Sequence, residues 1–315
     1  MIGPPGARKE EPSGSGRMRG MRGSVGVIGL GTMGSRMAHR LAASGFRVVG
    51  FDVSGAQGKL PAQAEEARDV ADVARQAEVV LLSLPDGNAS RAVAREIAAF
   101  LRSSVERSPL HTVVDLSTIG ARAAIECAEL LREVGIDYLD APVSGGPIAV
   151  EEGRLTVMVA GTAEALERVR PYLAAFAGHI FHVGSHAGQG QVIKLVNNYI
   201  AATALAVTCE GVAFAVSQGL DMRTVLDVLN VSTGRTTAST DMFPRSVLPG
   251  TYDFGFRNRL LVKDLLLYVD TLMQERRWGV LPSVVTHLWE DFAREHPDAD
   301  ATYFYEYARV RILGA

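Results

Sequence analysis

Hydrophobic residues along this chain follow two patterns, one up to about residue 187 and another after it. In the first part, short apolar runs alternate with segments in which apolar residues recur at helical spacing. The runs lie at residues 24–28, 46–51, 79–84, 112–116, 138–141, 155–160 and 180–183. Apolar runs bounded by turn residues are typical of buried strands, and their alternation with helices predicts an α/β fold with a doubly wound parallel sheet.

Strand patterns almost vanish in the second part. From Gly190, apolar residues recur at helical spacing as far as about Gln218, which exceeds the roughly 10–14 residues of an average globular helix. We therefore expect a long interdomain helix that joins the sheet to an all-helical C-terminal domain. Because this helix is apolar around much of its circumference, we also expect a homodimer or homotetramer joined through the helical domain.

The change of pattern divides the chain into domains. Residues 24–187 are predicted to form the sheet domain, and residues 188–315 the helical domain. Residues 1–23 are rich in Gly, Pro and Arg and have no apolar segment, so they are predicted to be a disordered extension and not a secretory signal.

Composition and charge narrow the class of protein. Lys and Arg total 32 against 35 Asp and Glu, a formal net charge of −3, so no attraction to nucleic acid or to an anionic membrane is expected. Charges or glycines interrupt every apolar run before the roughly 18 residues of a membrane helix. Two cysteines, Cys127 and Cys209, can build neither a disulfide scaffold nor a four-cysteine zinc site. We expect a soluble cytoplasmic protein that needs no metal.

A glycine-rich turn directly follows the first predicted strand and opens a segment of helical spacing. This strand–turn–helix context is what a dinucleotide fingerprint requires, and it predicts a Rossmann-type domain. The first glycine permits the turn, the second lets the backbone reach a pyrophosphate, and the third lets the helix lie close to the strand. The helix N-terminus then offers free N–H groups to the phosphates. The predicted cofactor-binding residues of the turn are Gly29, Leu30, Gly31, Thr32, Met33 and Gly34.

The second predicted strand ends at Asp52, close to where an acid is expected to bind the adenosine ribose. A carboxylate there accepts a hydrogen bond from a free 2′-hydroxyl and repels a 2′-phosphate. Ser54 follows, but no arginine lies nearby to bind such a phosphate. Asp52 therefore predicts NAD as the cofactor in preference to NADP.

Lys194 and Asn198 lie near the start of the long predicted helix, four residues apart and therefore on one face. Apolar residues flank Lys194 on both sides. It is either a desolvated amine or a surface lysine whose charged end reaches water. The residues alone leave both interpretations open.

Five sequence blocks follow one another along the chain. They are Gly29-Leu30-Gly31-Thr32-Met33-Gly34, Asp115-Leu116-Ser117-Thr118, Asp140-Ala141-Pro142-Val143-Ser144-Gly145-Gly146, Gly190-x-x-x-Lys194-x-x-x-Asn198 and Lys263-Asp264-Leu265. In this order they resemble the β-hydroxyacid dehydrogenase family, which contains 3-hydroxyisobutyrate dehydrogenase and tartronate semialdehyde reductase. The resemblance covers about residues 24–300, and it favours chemistry at Lys194.

The resemblance implies where the reaction takes place. It implies that Lys194 is the catalytic lysine and that Asn198 holds the substrate or the lysine in place. The loop of Ser144, Gly145 and Gly146 is implied to bind the carboxylate and hydroxyl of a small substrate. Loss of hydride from an alcohol requires removal of the hydroxyl proton, which an amine of lowered pKa can accept.

The resemblance also assigns residues to the cofactor. Leu84, Pro85 and Thr118 are implied to contact the nicotinamide side. Lys263 is implied to reach back from the helical domain toward cofactor and substrate. The sheet domain is then the dinucleotide-binding domain, and the helical domain serves substrate binding and dimerisation.

The leading interpretation is an oxidoreductase that transfers a hydride between NAD and a small 3-hydroxy acid. The alternative enzymes are a semialdehyde reductase using NADPH and an imine reductase, although imine reductases usually carry Asp or Tyr where this chain has Lys194. A non-catalytic scaffold with a dehydrogenase fold is the alternative from another class. Arg235 either binds a second acidic group of the substrate or pairs with an acid of the protein.

Overall fold

The fold is that of a computed structural model, which describes residues 23–105, 107–277 and 279–313. The predicted N-terminal extension, apart from Gly23, lies outside these residues. The strands are β1 (Ser24–Ile28), β2 (Arg47–Phe51), β3 (Glu65–Glu66), β4 (Val79–Leu82), β5 (Thr112–Asp115), β6 (Asp137–Asp140), β7 (Val143–Ser144), β8 (Leu155–Ala160) and β9 (Ala177–Gly184). The α-helices are α1 (Thr32–Ala43), α2 (Val70–Gln76), α3 (Gly87–Ser103), α4 (Ala121–Arg132), α5 (Gly146–Glu151), α6 (Ala163–Leu173), α7 (Gln189–Ser217), α8 (Met222–Val231), α9 (Asn258–Gln274), α10 (Val280–Glu295) and α11 (Phe304–Leu313). A π-helix covers Ala238–Val247, and a 3₁₀ turn covers Ala301–Tyr303.

The described strands form one sheet in the order β3-β2-β1-β4-β5-β6-β8-β7, with β9 beside β8. The strands from β3 to β6 in this order are all parallel to their neighbours. The chain winds outward from β1 in both directions, which is the doubly wound arrangement. The predicted Rossmann-type fold is confirmed.

One end of the sheet departs from the predicted parallel arrangement. β8 runs antiparallel to both β6 and β7. Between β7 and β8 the chain has only the six-residue helix α5, whereas a crossover that keeps strands parallel needs about a dozen residues or more. The chain therefore turns back on itself, and the longer connection through α6 makes β9 parallel to β8 again.

Helices cover both faces of the sheet, which explains the continuous apolar runs in the sequence. Successive residues of β4 point to opposite faces. Val79 and Leu81 pack with residues of α1 and α6, whereas Val80 and Leu82 pack with residues of α2, α3 and α4. The strands are therefore buried from both sides.

The second part of the chain is built around α7, whose 29 residues confirm the predicted long helix. Its inward side chains, including Leu205 and Val212, join Trp289 and Phe292 in a separate apolar core. By length and composition, α7 is the one helix of the described residues that could span a membrane. In the structure it is the central helix of this core, and α9, α10 and α11 pack around it.

One face of α7 carries a row of apolar side chains that are about half exposed. Ile193, Ile200, Val207 and Phe214 follow one another at intervals of seven residues, and each is between 40% and 59% exposed. Residues seven apart lie on the same side of a helix. We call this row of side chains the α7 stripe.

Candidate active site

The glycine-rich turn between β1 and α1 leaves space for a ligand. Gly29 has φ +90°, and a Cβ atom there would overlap the carbonyl oxygen of Ser83. A Cβ atom at Gly34 would overlap the carbonyl oxygen of Gly29, so helix and strand are in close contact. A Cβ atom at Gly31 would meet nothing within 4 Å, and no side chain caps the first turn of α1. Free N–H groups beside open space fit a pyrophosphate.

Asp52 follows β2 directly and is connected to this turn. Its Oδ2 accepts a hydrogen bond from the N–H of Leu30 at 2.7 Å, and its Oδ1 accepts two from Ser54 at 2.8 and 2.6 Å. Burial raises the pKa of Asp52, but the hydrogen bonds from Ser54 and Leu30 outweigh this effect and hold the pKa at about 2. The carboxylate is therefore charged where a ribose would bind.

Lys59 is a member of this group that the sequence analysis missed. Its Nζ lies 3.2 Å from Asp52 Oδ1 and donates a hydrogen bond to Ser54 Oγ at 2.7 Å. Its position seven residues after Asp52, in a turn-rich loop, was the available signal. The ammonium group partly offsets the carboxylate charge.

Lys194 lies on the inner face of α7 and is 8% exposed. Burial lowers the pKa of its amine, the carboxylate of Asp264 opposes this effect, and the positive charge of Lys263 adds to it. The pKa is lower than the ordinary 10.5. Within the described residues Nζ makes no hydrogen bond or ion pair. The amine is therefore desolvated and free to meet a ligand.

Asp264, on α9, is the second residue that the sequence analysis missed. It is 4% exposed, and its Oδ2 accepts a hydrogen bond from Asn198 Nδ2 at 2.6 Å. Burial raises the pKa of this carboxyl group, and the charges of Lys263 and Lys194 oppose the rise. The signal was an acid three residues after Leu261 and next to Leu265, on the side of the helix that these two leucines mark as buried.

Lys263 connects α9 to the ends of two strands. Its Nζ donates to the carbonyl oxygens of Thr118 at 2.7 Å and Pro85 at 3.3 Å, and lies 3.3 Å from Asp264 Oδ1. The N–H of Leu84, beside Pro85, donates to the hydroxyl of Ser117 at 2.8 Å. The three residues expected near the nicotinamide and the lysine expected to reach them thus lie together.

The predicted carboxylate-binding loop begins at the end of β7. Gly145 and Gly146 both have positive φ, +130° and +72°, and a Cβ atom at Gly146 would meet nothing within 4 Å. Ser144 is half-buried, and its hydroxyl has no hydrogen-bond partner in the part of the chain that the structure describes. The loop follows β6, whose last residue, Asp140, also contacts the start of α7.

Arg235 lies away from these groups. The hydroxyl of its neighbour Thr236 is 3.2 Å from that of Thr208 on α7. Thr208 is fourteen residues beyond Lys194, about 21 Å along the helix. Arg235 is exposed and forms no ion pair with any described acid. The described residues therefore show no contact between Arg235 and the groups around Lys194.

Family comparisons match both parts of the chain. A family model described as the NAD binding domain of 6-phosphogluconate dehydrogenase matches residues 24–184. A second, described as the NAD-binding domain of NADP-dependent 3-hydroxyisobutyrate dehydrogenase, matches residues 188–308. Together they span nearly all of the described chain.

Individual proteins are similar over most of their length. The 2-(hydroxymethyl)glutarate dehydrogenase of Eubacterium barkeri is 32% identical, over 78% of this chain and 81% of that protein. The NAD-dependent L-serine dehydrogenase of Pseudomonas aeruginosa is 34% identical, over 76% of this chain and 82% of that protein. The structure of Mycobacterium tuberculosis 3-hydroxyisobutyrate dehydrogenase with L-serine is 30% identical with a TM-score of 0.82, covering 92% of this chain and 100% of that one.

Two further kinds of solved structure bear on the alternatives. Psf3, solved with NADP⁺, is 26% identical with a TM-score of 0.75 over 90% of this chain and 99% of that one. An imine reductase from Myxococcus stipitatus is 19% identical with a TM-score of 0.61, covering 93% of this chain and 100% of that one, and shares the fold alone. The matched family models and the dehydrogenase relatives make this chain an NAD(P)-dependent oxidoreductase. It belongs to the β-hydroxyacid dehydrogenase family.

Proposed function

We propose that this protein is a cytoplasmic, NAD-dependent 3-hydroxy acid dehydrogenase in which Lys194 is the general acid and base. The observation that carries the proposal is the Lys194 amine, which is nearly buried and has no protein partner among the described residues. Asn198 and Asp264 form a hydrogen-bonded pair at the same site. A lysine on the surface keeps its charged end in water, whereas the Lys194 amine lies out of water beside a buried carboxylate.

The chemistry follows from the protonation state of Lys194. In oxidation, the neutral amine accepts the proton of the substrate hydroxyl group. The C–H bond on the carbon that carries this hydroxyl group breaks, and the hydrogen leaves as a hydride. A bound nicotinamide supplies the acceptor for that hydride. In reduction, the Lys194 ammonium returns a proton to the nascent alkoxide. A lowered pKa suits a group that must both take and give a proton near neutral pH.

The proposed substrate is a small 3-hydroxy acid. Two of the similar proteins carry the names of L-serine and 3-hydroxyisobutyrate, which both have a hydroxyl group on the carbon next to the α-carbon. The open backbone at Gly146 and the free hydroxyl of Ser144 suit a carboxylate. Backbone N–H groups would hold it without adding another titrating group.

One alternative has an observation in its favour. A semialdehyde reductase would carry out the same step in reverse with NADPH. Lys59, 3.2 Å from Asp52, offsets the negative charge that would repel a 2′-phosphate. This chain is similar to the imine reductase in fold alone. A non-catalytic scaffold protein would not need a desolvated lysine. We favour NAD because the Asp52 carboxylate stays charged.

Replacing Lys194 should remove the proton transfer. Because a general acid or base contributes about 10²–10⁴-fold in rate, Lys194→Ala should lose about that much kcat and still bind NAD. Lys194→Arg is the matched control, since it keeps the charge but cannot give up its proton near neutral pH.

Asn198→Ala should lower kcat by less than Lys194→Ala does. Lys263→Ala should raise KM for cofactor and substrate more than it lowers kcat. Steady-state assays with hydroxyisobutyrate, serine, threonine, glycerate and 4-hydroxybutyrate provide the test. A Lys194→Ala enzyme that keeps more than a tenth of kcat, with chemistry rate-limiting, would refute the assignment.

Asp264→Asn should shift the pH dependence of oxidation. The Asp264 charge raises the pKa of Lys194, so removing it should lower that pKa further. Oxidation needs the neutral amine, and kcat/KM therefore rises as pH passes upward through this pKa. In Asp264→Asn the rise should occur at lower pH, while the amide can still pair with Asn198. A rise at the same or higher pH would contradict the proposed electrostatic arrangement.

Cofactor choice should respond in opposite directions to two substitutions. Asp52→Ala should weaken the binding of NAD and remove the repulsion of the 2′-phosphate of NADP, so the preference for NAD over NADP should become smaller. Lys59→Ala should raise KM for NADP by about tenfold, a difference of about 1.4 kcal/mol, with a smaller change for NAD. The measurement is kcat/KM with each cofactor. Faster turnover of the wild-type enzyme with NADP at equal concentration would overturn the interpretation of Asp52.

We also propose a homodimer or homotetramer that buries the α7 stripe. Four exposed apolar side chains in one row favour a contact between copies of the chain. Ile200→Glu combined with Val207→Glu should produce a monomer, since charges are costly in an apolar interface. Val105→Glu, at a fully exposed position of the sheet domain, is the control. Light scattering at micromolar concentration measures the mass, and a monomeric wild-type protein would exclude this assembly.

A further inference from the structure

The first turn of α7 is fixed to the sheet by a buried carboxylate. Asp140, the last residue of β6, is fully buried. Its Oδ1 accepts the N–H of Gly188 at 2.9 Å, and its Oδ2 accepts the N–H of Gln191 at 2.9 Å. A Cβ atom at Gly190 would lie 2.6 Å from the carbonyl oxygen of Met158, so only glycine fits there. These contacts give the helix one position on the sheet.

The side chain of Gln191 connects this turn to a second strand end. It is fully buried, and its Oε1 accepts the N–H groups of Ile119 at 2.8 Å and Gly120 at 3.2 Å. Its Nε2 donates to the carbonyl oxygen of Ser117 at 3.1 Å. A primary amide carries an acceptor and a donor side by side. The Gln191 amide therefore fits the loop between β5 and α4, because both its oxygen and its nitrogen form hydrogen bonds there.

The same loop and the same helix carry groups of the proposed reaction. Thr118 lies within the loop, and its carbonyl oxygen accepts the Lys263 amine at 2.7 Å. Lys194 follows Gln191 by three residues, which makes the two side chains neighbours on the helix surface. A shift of Gln191 relative to the loop would move the Lys194 amine by a similar amount.

We propose that Gln191 is a positioning residue that sets the distance between the Lys194 amine and the loop Ser117–Gly120, with Asp140 holding the helix start. The inference rests on the proposed function of Lys194. Its consequence is that hydride transfer depends on an amide that touches neither cofactor nor substrate. A purely structural role would lower stability without displacing Lys194.

Gln191→Glu tests the positioning role because the hydrogen bond of this side chain to the carbonyl oxygen of Ser117 then depends on pH, and the uncharged variant below controls for the added charge. A protonated carboxyl group keeps the shape of the amide and its donor. An ionised one places an acceptor against the carbonyl oxygen of Ser117. Burial raises the pKa of a carboxyl group above the ordinary value of about 4.3. Asp140, which accepts the N–H of residue 191 and whose own pKa burial raises to about 7, is present in both enzymes, so the comparison is made as a ratio to the wild type. The ratio of variant to wild-type kcat should therefore be close to one at low pH and fall by about tenfold or more as pH rises, about 1.4 kcal/mol in the barrier. KM for the cofactor should stay unchanged.

Gln191→Leu is the matched control. It has similar size but neither donor nor acceptor, so its kcat should be lowered at every pH. A fall in kcat of Gln191→Glu that is equal at all pH values, or no fall at all, would contradict the positioning role.

A second measurement needs no substrate. The chain has four lysines, Lys9, Lys59, Lys194 and Lys263, so ¹³C-ε-lysine NMR gives few signals, which Lys→Arg variants assign. In Gln191→Glu, raising the pH should shift the Lys194 signal beyond its shift in the wild type and leave Lys59 as it was. A Lys194 signal that matches the wild type, together with a lowered unfolding temperature, would leave Gln191 with a structural role and overturn the inference. If no 3-hydroxy acid is turned over by the wild-type enzyme, the proposed function fails, but the NMR comparison still decides whether Gln191 positions Lys194.

Discussion

The candidate active site depends on the buried carboxylate of Asp264. Burying a charge is costly unless opposite charges and hydrogen bonds compensate it. Here the compensation comes from two helices, because Asn198 on α7 donates a hydrogen bond and Lys263 on α9 lies beside the carboxylate. The packing of α7 on α9 and the electrostatics of the site therefore depend on the same contacts. Neither helix can move without exposing an unpaired charge.

Features encoded by local pattern could be predicted from the sequence. The helix expected from Gly190 to about Gln218 extends from Gln189 to Ser217. The glycine-rich turn has the backbone conformation and close contacts that its spacing required. The reversal at β7 and β8 could not be predicted, because an apolar run looks the same whichever way the strand points. Only the length of the connection distinguishes the two directions, and β7, the short strand that leaves too few residues for a crossover, is not among the predicted runs.

The candidate site was only partly accessible to the same reasoning. Lys194 was first singled out by its apolar neighbours, and the family resemblance then favoured chemistry there, whereas Lys263 was named by the resemblance alone. Asp264 lay in such a block, but its contact with Asn198 joins residues 66 positions apart, and sequence spacing carries no information about such contacts. Gln191 and Ile119, 72 positions apart, are a similar case. Lys59 was missed for a different reason, since only arginine, serine and threonine were considered as partners for a 2′-phosphate, and only close to Asp52.

The continuity of α7 has a mechanical consequence. The helix begins on the strand ends of the sheet and continues without interruption into the core of the helical part. A hydrogen-bonded helix is kinked only where proline, a bulge or an inserted group breaks its ladder, and residues 189–217 contain no proline. A loop hinge between the two parts is therefore absent along this connection. Access to the candidate site must therefore come from movement of the surrounding loops, not from a hinge at this connection that lets the two parts of the chain separate.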